Sequence, residues 1–135
     1  MMMIAAPFKY VLREMGPAAR EYYRRLEGGS LSTTRCEGCE RLFFPPRERC
    51  PGCGGPVAWQ ELSGRGSIYA FTQQERGLRF TTPDVIGIVE LEEGVRVFGL
   101  FDDAFDRLAI GASVDVVLRT DDAGLTLLVF RLTAR

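Results

Sequence analysis

Histidine is absent from this chain of 135 residues. Without an imidazole there is no Ser-His-Asp triad, no Cys-His dyad and no His-ligated metal site. Lysine is nearly absent as well. Lys9 stands alone, so 16 of the 17 basic residues are arginines. These face 18 acidic residues, for a formal net charge of −1. That balance argues against a strongly basic nucleic-acid binder. No apolar run approaches the roughly 20 residues needed to span a bilayer. The opening Met1-Met2-Met3-Ile4-Ala5-Ala6 has no cationic flank and no long apolar stretch. It does not read as a signal peptide, and a cytoplasmic location with reduced thiols is expected. Hydrophobic residues at 46% and charged residues at 26% are the balance of a folded globular protein, not a disordered one.

The four cysteines fall in one segment. Cys36-x2-Cys39 is followed by ten residues and then by Cys50-x2-Cys53. Each CxxC is a tight turn that aims two sulfurs at one centre. Two facing turns supply tetrahedral sulfur coordination, which suits zinc with Zn–S near ~2.3 Å. Iron or a pair of disulfides is the rival reading. Four thiolates fill a tetrahedron and leave no open position for water, so the expected role is structural. A ribbon this short cannot bury enough apolar surface to fold alone. Metal binding worth on the order of 10–16 kcal/mol supplies the deficit. Between Arg35 and Pro56 stand Arg35, Arg41, Arg47 and Arg49 against Glu37, Glu40 and Glu48. These arginines either offset the zinc–thiolate charge or face outward to bind phosphate.

Ahead of the ribbon, Phe8, Val11, Leu12 and Met15 fall at helical spacing. Gly16-Pro17 interrupts. Ala19, Tyr22, Tyr23 and Leu26 then form a second apolar stripe, and Gly28-Gly29 stops it. Two short helices are expected, docked either on the chain's own core or on a partner. Behind the ribbon the period changes to two. Ser67–Gln73, Val85–Leu91, Val95–Phe101, Val114–Arg119 and Leu125–Leu132 read as strands. Glu92-Glu93-Gly94 and Asp121-Asp122-Ala123-Gly124 read as hairpin turns. Asp102–Ile110 is a loop or a single helical turn. Five strands in this length fit a small closed barrel, an OB-fold or an SH3-like barrel. The expected divisions are N-terminal helices over 1–30, a zinc ribbon over 31–60 and a barrel over 61–135.

Several motifs are more specific than the double CxxC. They are Phe44-Pro45-Pro46-Arg47, Cys50-Pro51-Gly52-Cys53-Gly54, Trp59-Gln60-Glu61-Leu62-Ser63-Gly64-Arg65-Gly66, Ile68-Tyr69-Ala70-Phe71-Thr72, Ile88-Val89-Glu90-Leu91 and Ile110-Gly111. In this order and spacing the chain resembles the acyl-CoA-associated OB-fold family with an N-terminal rubredoxin-like zinc ribbon, the domain of unknown function thirty-five. It departs from the family pattern at Glu40, where a glycine usually follows the second cysteine, and at Pro83-Asp84-Val85. The resemblance implies a mainly β fold: an N-terminal helical hairpin, a rubredoxin-like ribbon and a five-stranded OB barrel. It also implies an accessory subunit of a thiolase-like enzyme that supplies no nucleophile and helps to hold an acyl-CoA, in a hetero-oligomer and away from any membrane. The partner would condense, transfer or cleave acyl groups by Claisen-type or retro-aldol chemistry.

Coenzyme A needs cationic donors for its phosphates and a flat surface for adenine. Phe44, Arg47 and Arg49 offer both beside Cys36, Cys39, Cys50 and Cys53. Phe44 can equally be core packing against Trp59. Arg76 and Arg79 lie in the loop after the first barrel strand, on the usual OB ligand face, or in a solvated loop. Three other functions compete. Zinc ribbons and OB-folds often bind nucleic acid. A self-sufficient enzyme would draw on Asp102, Asp103, Asp106, Asp121 or Asp122, although aspartates in turns usually cap backbone. A scaffold would hold a partner without touching CoA.

Overall fold

The computed structural model describes residues 15–74, 84–120 and 124–133. The first expected helix, the loop bearing Arg76 and Arg79, and Asp121 and Asp122 lie outside the described residues.

The second helix forms as the stripe predicts. α1 (Pro17–Glu27) has Pro17 at its first position, where a missing N–H costs nothing. Glu21 ties to Arg24 at 2.6 Å and to Arg25 at 2.7 Å, and the Arg24 guanidinium holds the Glu21 carboxyl down at about 2. Gly28 and Gly29 close the helix: the Gly29 N–H reaches the Leu26 carbonyl at φ +97°. Tyr22 and Leu26 are buried and belong to the same core cluster as the barrel residues. This stripe therefore docks on the chain's own core, against the first and last strands. It is not available to a partner, and it no longer argues for assembly.

The ribbon is a three-stranded antiparallel sheet with β1 (Ser32–Cys36) between β2 (Leu42–Phe43) and β3 (Val57–Glu61). Its central strand buries small polar residues. Ser32, Thr33 and Thr34 are buried, and each hydroxyl has a partner, as burial requires. Ser32 Oγ lies 2.7 Å from Ser30 Oγ, Thr33 Oγ1 donates to the Phe43 carbonyl, and Thr34 Oγ1 accepts the Arg47 N–H at 3.0 Å.

The barrel comprises β4 (Arg65–Gln74), β5 (Asp84–Leu91), β6 (Arg96–Phe101), β7 (Ser113–Thr120) and β8 (Thr126–Leu132). It closes in the order β4-β5-β6-β8-β7, with one parallel pairing between β6 and β8. All five expected strands are present, and the order is that of an OB-fold. Asp102–Ile110 contains a single 3-10 turn, Phe105–Arg107. Ile68, Val89, Val97, Val114, Leu128 and Phe130 fill the inside. Gly87 is obligatory there, because a Cβ would sit 2.1 Å from the Ala70 carbonyl oxygen.

The join between ribbon and barrel explains the Ser63-Gly64-Arg65-Gly66 motif. Glu93 in the β5–β6 turn accepts from the Ser63 N–H at 2.6 Å and the Ser63 hydroxyl at 3.2 Å. Its neighbour Glu92 takes the Arg65 guanidinium in a two-point pair at 3.1 Å. A Cβ on Gly66 would meet the Glu90 carbonyl at 2.2 Å. The motif is a clasp that fixes the ribbon to one end of the barrel.

Candidate metal centre and ligand surfaces

Two equivalent turns build the metal centre. In the first, the Glu40 N–H donates to the Cys36 carbonyl at 3.0 Å and the Cys36 N–H donates to the Arg41 carbonyl at 2.9 Å. In the second, Gly54 and Cys50 make the matching bond at 2.9 Å, and Cys50 donates to the Gly55 carbonyl at 3.1 Å. Each turn also aims the N–H of its second cysteine at the sulfur of its first, at 3.3 Å for Cys39 and 3.5 Å for Cys53. Such donors stabilise thiolate. The expected difference at Glu40 does not arise: it adopts φ +64°, close to the +74° of Gly54, so the first turn bends as the second does.

The four sulfurs lie within 4.8 Å of one another. Cys36 and Cys53 are 3.4 Å apart, and Cys39 and Cys50 are 3.6 Å apart. Four sulfurs on one zinc would stand roughly 3.8 Å apart at ordinary Zn–S lengths. None of the four is in a disulfide, and their charges conflict. The Cys39 N–H helps to hold the Cys36 thiol down at about 6. The Gly55 N–H pulls Cys53 the same way, yet the neighbouring Cys36 and Cys50 sulfurs push it up to about 11. Four thiolates this close need a cation between them. The donor set fits a soft dication with no place left for water.

The ribbon arginines divide. Arg41 lies over the second turn, where a Cβ on Gly52 would come within 2.8 Å of its Nη1. Arg49 donates to the Gly54 carbonyl at 3.4 Å. Both positions suit an offset of thiolate charge. Arg47 is anchored only by its backbone N–H and is exposed. Among the described residues, none of the four ribbon arginines is in an ion pair, unlike Arg24, Arg25, Arg65, Arg96 and Arg119. Phe44 is half-buried, and the ring it meets edge-on is Tyr22, with centroids 5.7 Å apart. Arg25 covers Trp59 instead, 4.9 Å from its centroid. The expected Phe44–Trp59 pairing is thus replaced by a contact with the helix.

Of the described candidate acids, Asp102 and Asp103 are tied into the fold, and Asp106 lies exposed in the 3-10 turn. Asp102 pairs with Arg119. Asp103 is buried and accepts the Leu132 N–H at 2.8 Å. A shallow depression between β4, β5 and β7 is lined by Glu90, Glu92 and Asp115 against Arg65, which disfavours a polyanion.

The fold and the cysteine geometry have counterparts among known proteins. A family model described as ChsH2, rubredoxin-like zinc ribbon domain matches residues 27–59, and one described as ChsH2, C-terminal OB-fold domain matches residues 59–119. The DUF35 domain-containing scaffold protein of Methanocaldococcus jannaschii is 34% identical over 82% of this chain and 82% of its own length. This chain belongs to the DUF35 family. Another relative is the benzoylsuccinyl-CoA thiolase subunit BbsA of Geobacter metallireducens, 30% identical over 65% of this chain and 61% of that protein. The solved Ltp2-ChsH2(DUF35) aldolase superposes with a TM-score of 0.80 at 29% identity, covering 89% of this chain and 98% of that one. The four cysteines fall within the zinc-ribbon match, and β4–β7 fall within the OB-fold match to within a residue. Among the described residues no helix is long and apolar enough to cross a membrane. The outward-facing residues of β4–β6 are the surface that sequence reasoning missed. Arg96, Phe98 and Leu100 alternate with Val97 and Gly99, and that alternation was the available signal.

Proposed function

We propose that this chain is an accessory subunit, carrying a structural zinc ion on Cys36, Cys39, Cys50 and Cys53, that seats on a thiolase-like enzyme and helps to hold its acyl-CoA. The observation that carries this reading is the pairing of a closed four-thiol centre with unpaired, outward arginines on the same ribbon. A centre with no open position does no Lewis-acid chemistry. Guanidinium groups outside ion pairs, on the same ribbon as Phe44, suit the phosphates and base of CoA. Phe44, Arg47 and Arg49 are the proposed contacts, joined by Arg76 and Arg79 from the loop after β4. The thiolase-subunit and aldolase names of the relatives point to the same class of partner. Catalysis would then belong to the partner, since this chain has no histidine. A nucleic-acid reading would need cationic groups on the barrel's outer strands. Among the described residues of the outward face of β4–β6 only Arg65 and Arg96 qualify, and they are already held by Glu92 at 3.1 Å and Glu90 at 3.0 Å.

The test is CoA affinity of the assembled complex. Arg47→Ala is expected to weaken CoA binding about tenfold, the worth of a charge-assisted contact. Zinc content and assembly should stay unchanged. An affinity equal to wild type in the R47A and R49A double variant would reduce the chain to a scaffold.

A further inference from the structure

The outward face of β4–β6 is apolar where a barrel's exterior is usually polar. Gly87, Val89 and Leu91 point inward on β5, which leaves Ile86, Ile88 and Glu90 outside. On β6, Val97 and Gly99 point inward and Arg96, Phe98 and Leu100 outward. The register sets Ile86 opposite Leu100 and Ile88 opposite Phe98. Ala70 and Thr72 of β4 extend the row beside Ile88 and Ile86. Phe98 is 61% exposed, a high value for a phenylalanine in the middle of a strand.

We propose that this face is where the thiolase-like subunit seats, with Phe98 at the centre of the contact. The inference rests on the accessory-subunit reading above and adds the surface. Three features select the occupant. First, the second and third barrel strands of an OB-fold are its usual ligand face, and among the described residues that face has no free cation. Arg96 is held between Glu90 and the Tyr69 ring, 3.9 Å from its centroid. A neutral, apolar surface complements another protein and repels neither charge sign. Second, the barrel is closed, so a partner finds no strand edge to extend and must pack face to face. Third, the patch is small. Three strands about 4.8 Å apart and five residues of about 3.4 Å span roughly 10 by 14 Å. A stable interface takes about 800 Å² from each partner. Two copies of this patch against each other fall well short. A larger partner that also reaches neighbouring elements can use it as the apolar centre, ringed by Tyr69, Glu90 and Arg96.

The experiment uses the tagged full chain expressed in its native host. The wild type is first required to co-purify a stoichiometric subunit with thiolase sequence. Phe98→Glu is then expected to lower recovery of that subunit at least tenfold, with one zinc per chain and an unchanged melting temperature. Phe98→Thr, which keeps the strand propensity, should give an intermediate loss. If wild type and both variants recover the subunit equally, the face is wrong and the accessory reading stands. If the wild type recovers no such subunit, the accessory reading fails and this face loses its occupant. A purified chain that is dimeric alone and becomes monomeric on Phe98→Glu would assign the face to a second copy and overturn the proposal.

Discussion

The ribbon and the barrel are adjoining β-sheets held by different physics. The barrel's interior is Ile68, Val89, Val97, Val114 and Phe130, each buried to within a few per cent. The ribbon's central strand buries Ser32, Thr33, Thr34 and Cys36, and its apolar Leu42 and Trp59 are only partly buried against the core. Burying apolar surface stabilises at about 25 cal/mol per Å², whereas a buried hydroxyl with a partner contributes little net. The ribbon therefore depends on what its four sulfurs bind, and the barrel does not. The clasp of Ser63 and Arg65 on Glu93 and Glu92 joins a metal-dependent unit to a solvent-driven one. Metal can then set the shape of the ribbon while the barrel supplies a fixed platform.

Removing the metal should separate the two regions most sharply. Chelation, or Cys36→Ser, is expected to abolish binding worth on the order of 10–16 kcal/mol. The ribbon should lose its amide dispersion in NMR spectra while the barrel strands keep theirs. Elemental analysis should give one zinc per chain before treatment and none after. Collapse of both regions together would mean that the barrel leans on the ribbon through α1 and the clasp.

The reciprocal experiment empties the barrel. Phe130 is fully buried and meets Phe101, with ring centroids 6.4 Å apart. Phe130→Ala is expected to cost about 3–5 kcal/mol, seen as a lower denaturant midpoint. The zinc content of the folded protein should not change. A variant that loses zinc under native conditions would show that the two units fold as one.

How far the chain could be read in advance also differs between the regions. The ribbon's cysteine cluster was legible because the spacing of Cys36, Cys39, Cys50 and Cys53 encodes the turns directly. The barrel strands were legible from their period, and α1 from its stripe. The inward face of β5 was not. Val85–Leu91 is apolar at nearly every position, and alternation cannot assign a side when both sides are apolar. Closure decides it, by placing Gly87 against Ala70 and leaving Ile86 and Ile88 outside. The polar interior of β1 was hidden for the opposite reason: Ser-Thr-Thr reads as surface until its hydroxyl partners are known. The packing of Phe44 on Tyr22 joins segments whose approach is set by tertiary structure, with no local signal.

The smallest expected effect tests the equivalence of the two cysteine turns. Both carry the same pair of backbone bonds and the same left-handed residue, yet one has glutamate and the other glycine. For a residue with a Cβ that conformation costs about 1–2 kcal/mol. Glycine removes the cost but gives the unfolded chain more freedom, which takes back about 0.4–1 kcal/mol. Glu40→Gly should therefore raise the denaturant midpoint of the zinc-loaded protein by an amount equivalent to ~1 kcal/mol or less. Gly54→Ala should lower it by a similar amount. A Cβ at Gly54 meets nothing within 4 Å, so backbone conformation is the only term that changes there. Opposite signs from the two substitutions mean that the turns differ in sequence alone. A Glu40→Gly variant that is less stable would instead give the Glu40 carboxylate a part in holding the first turn, and the symmetry would be one of backbone only.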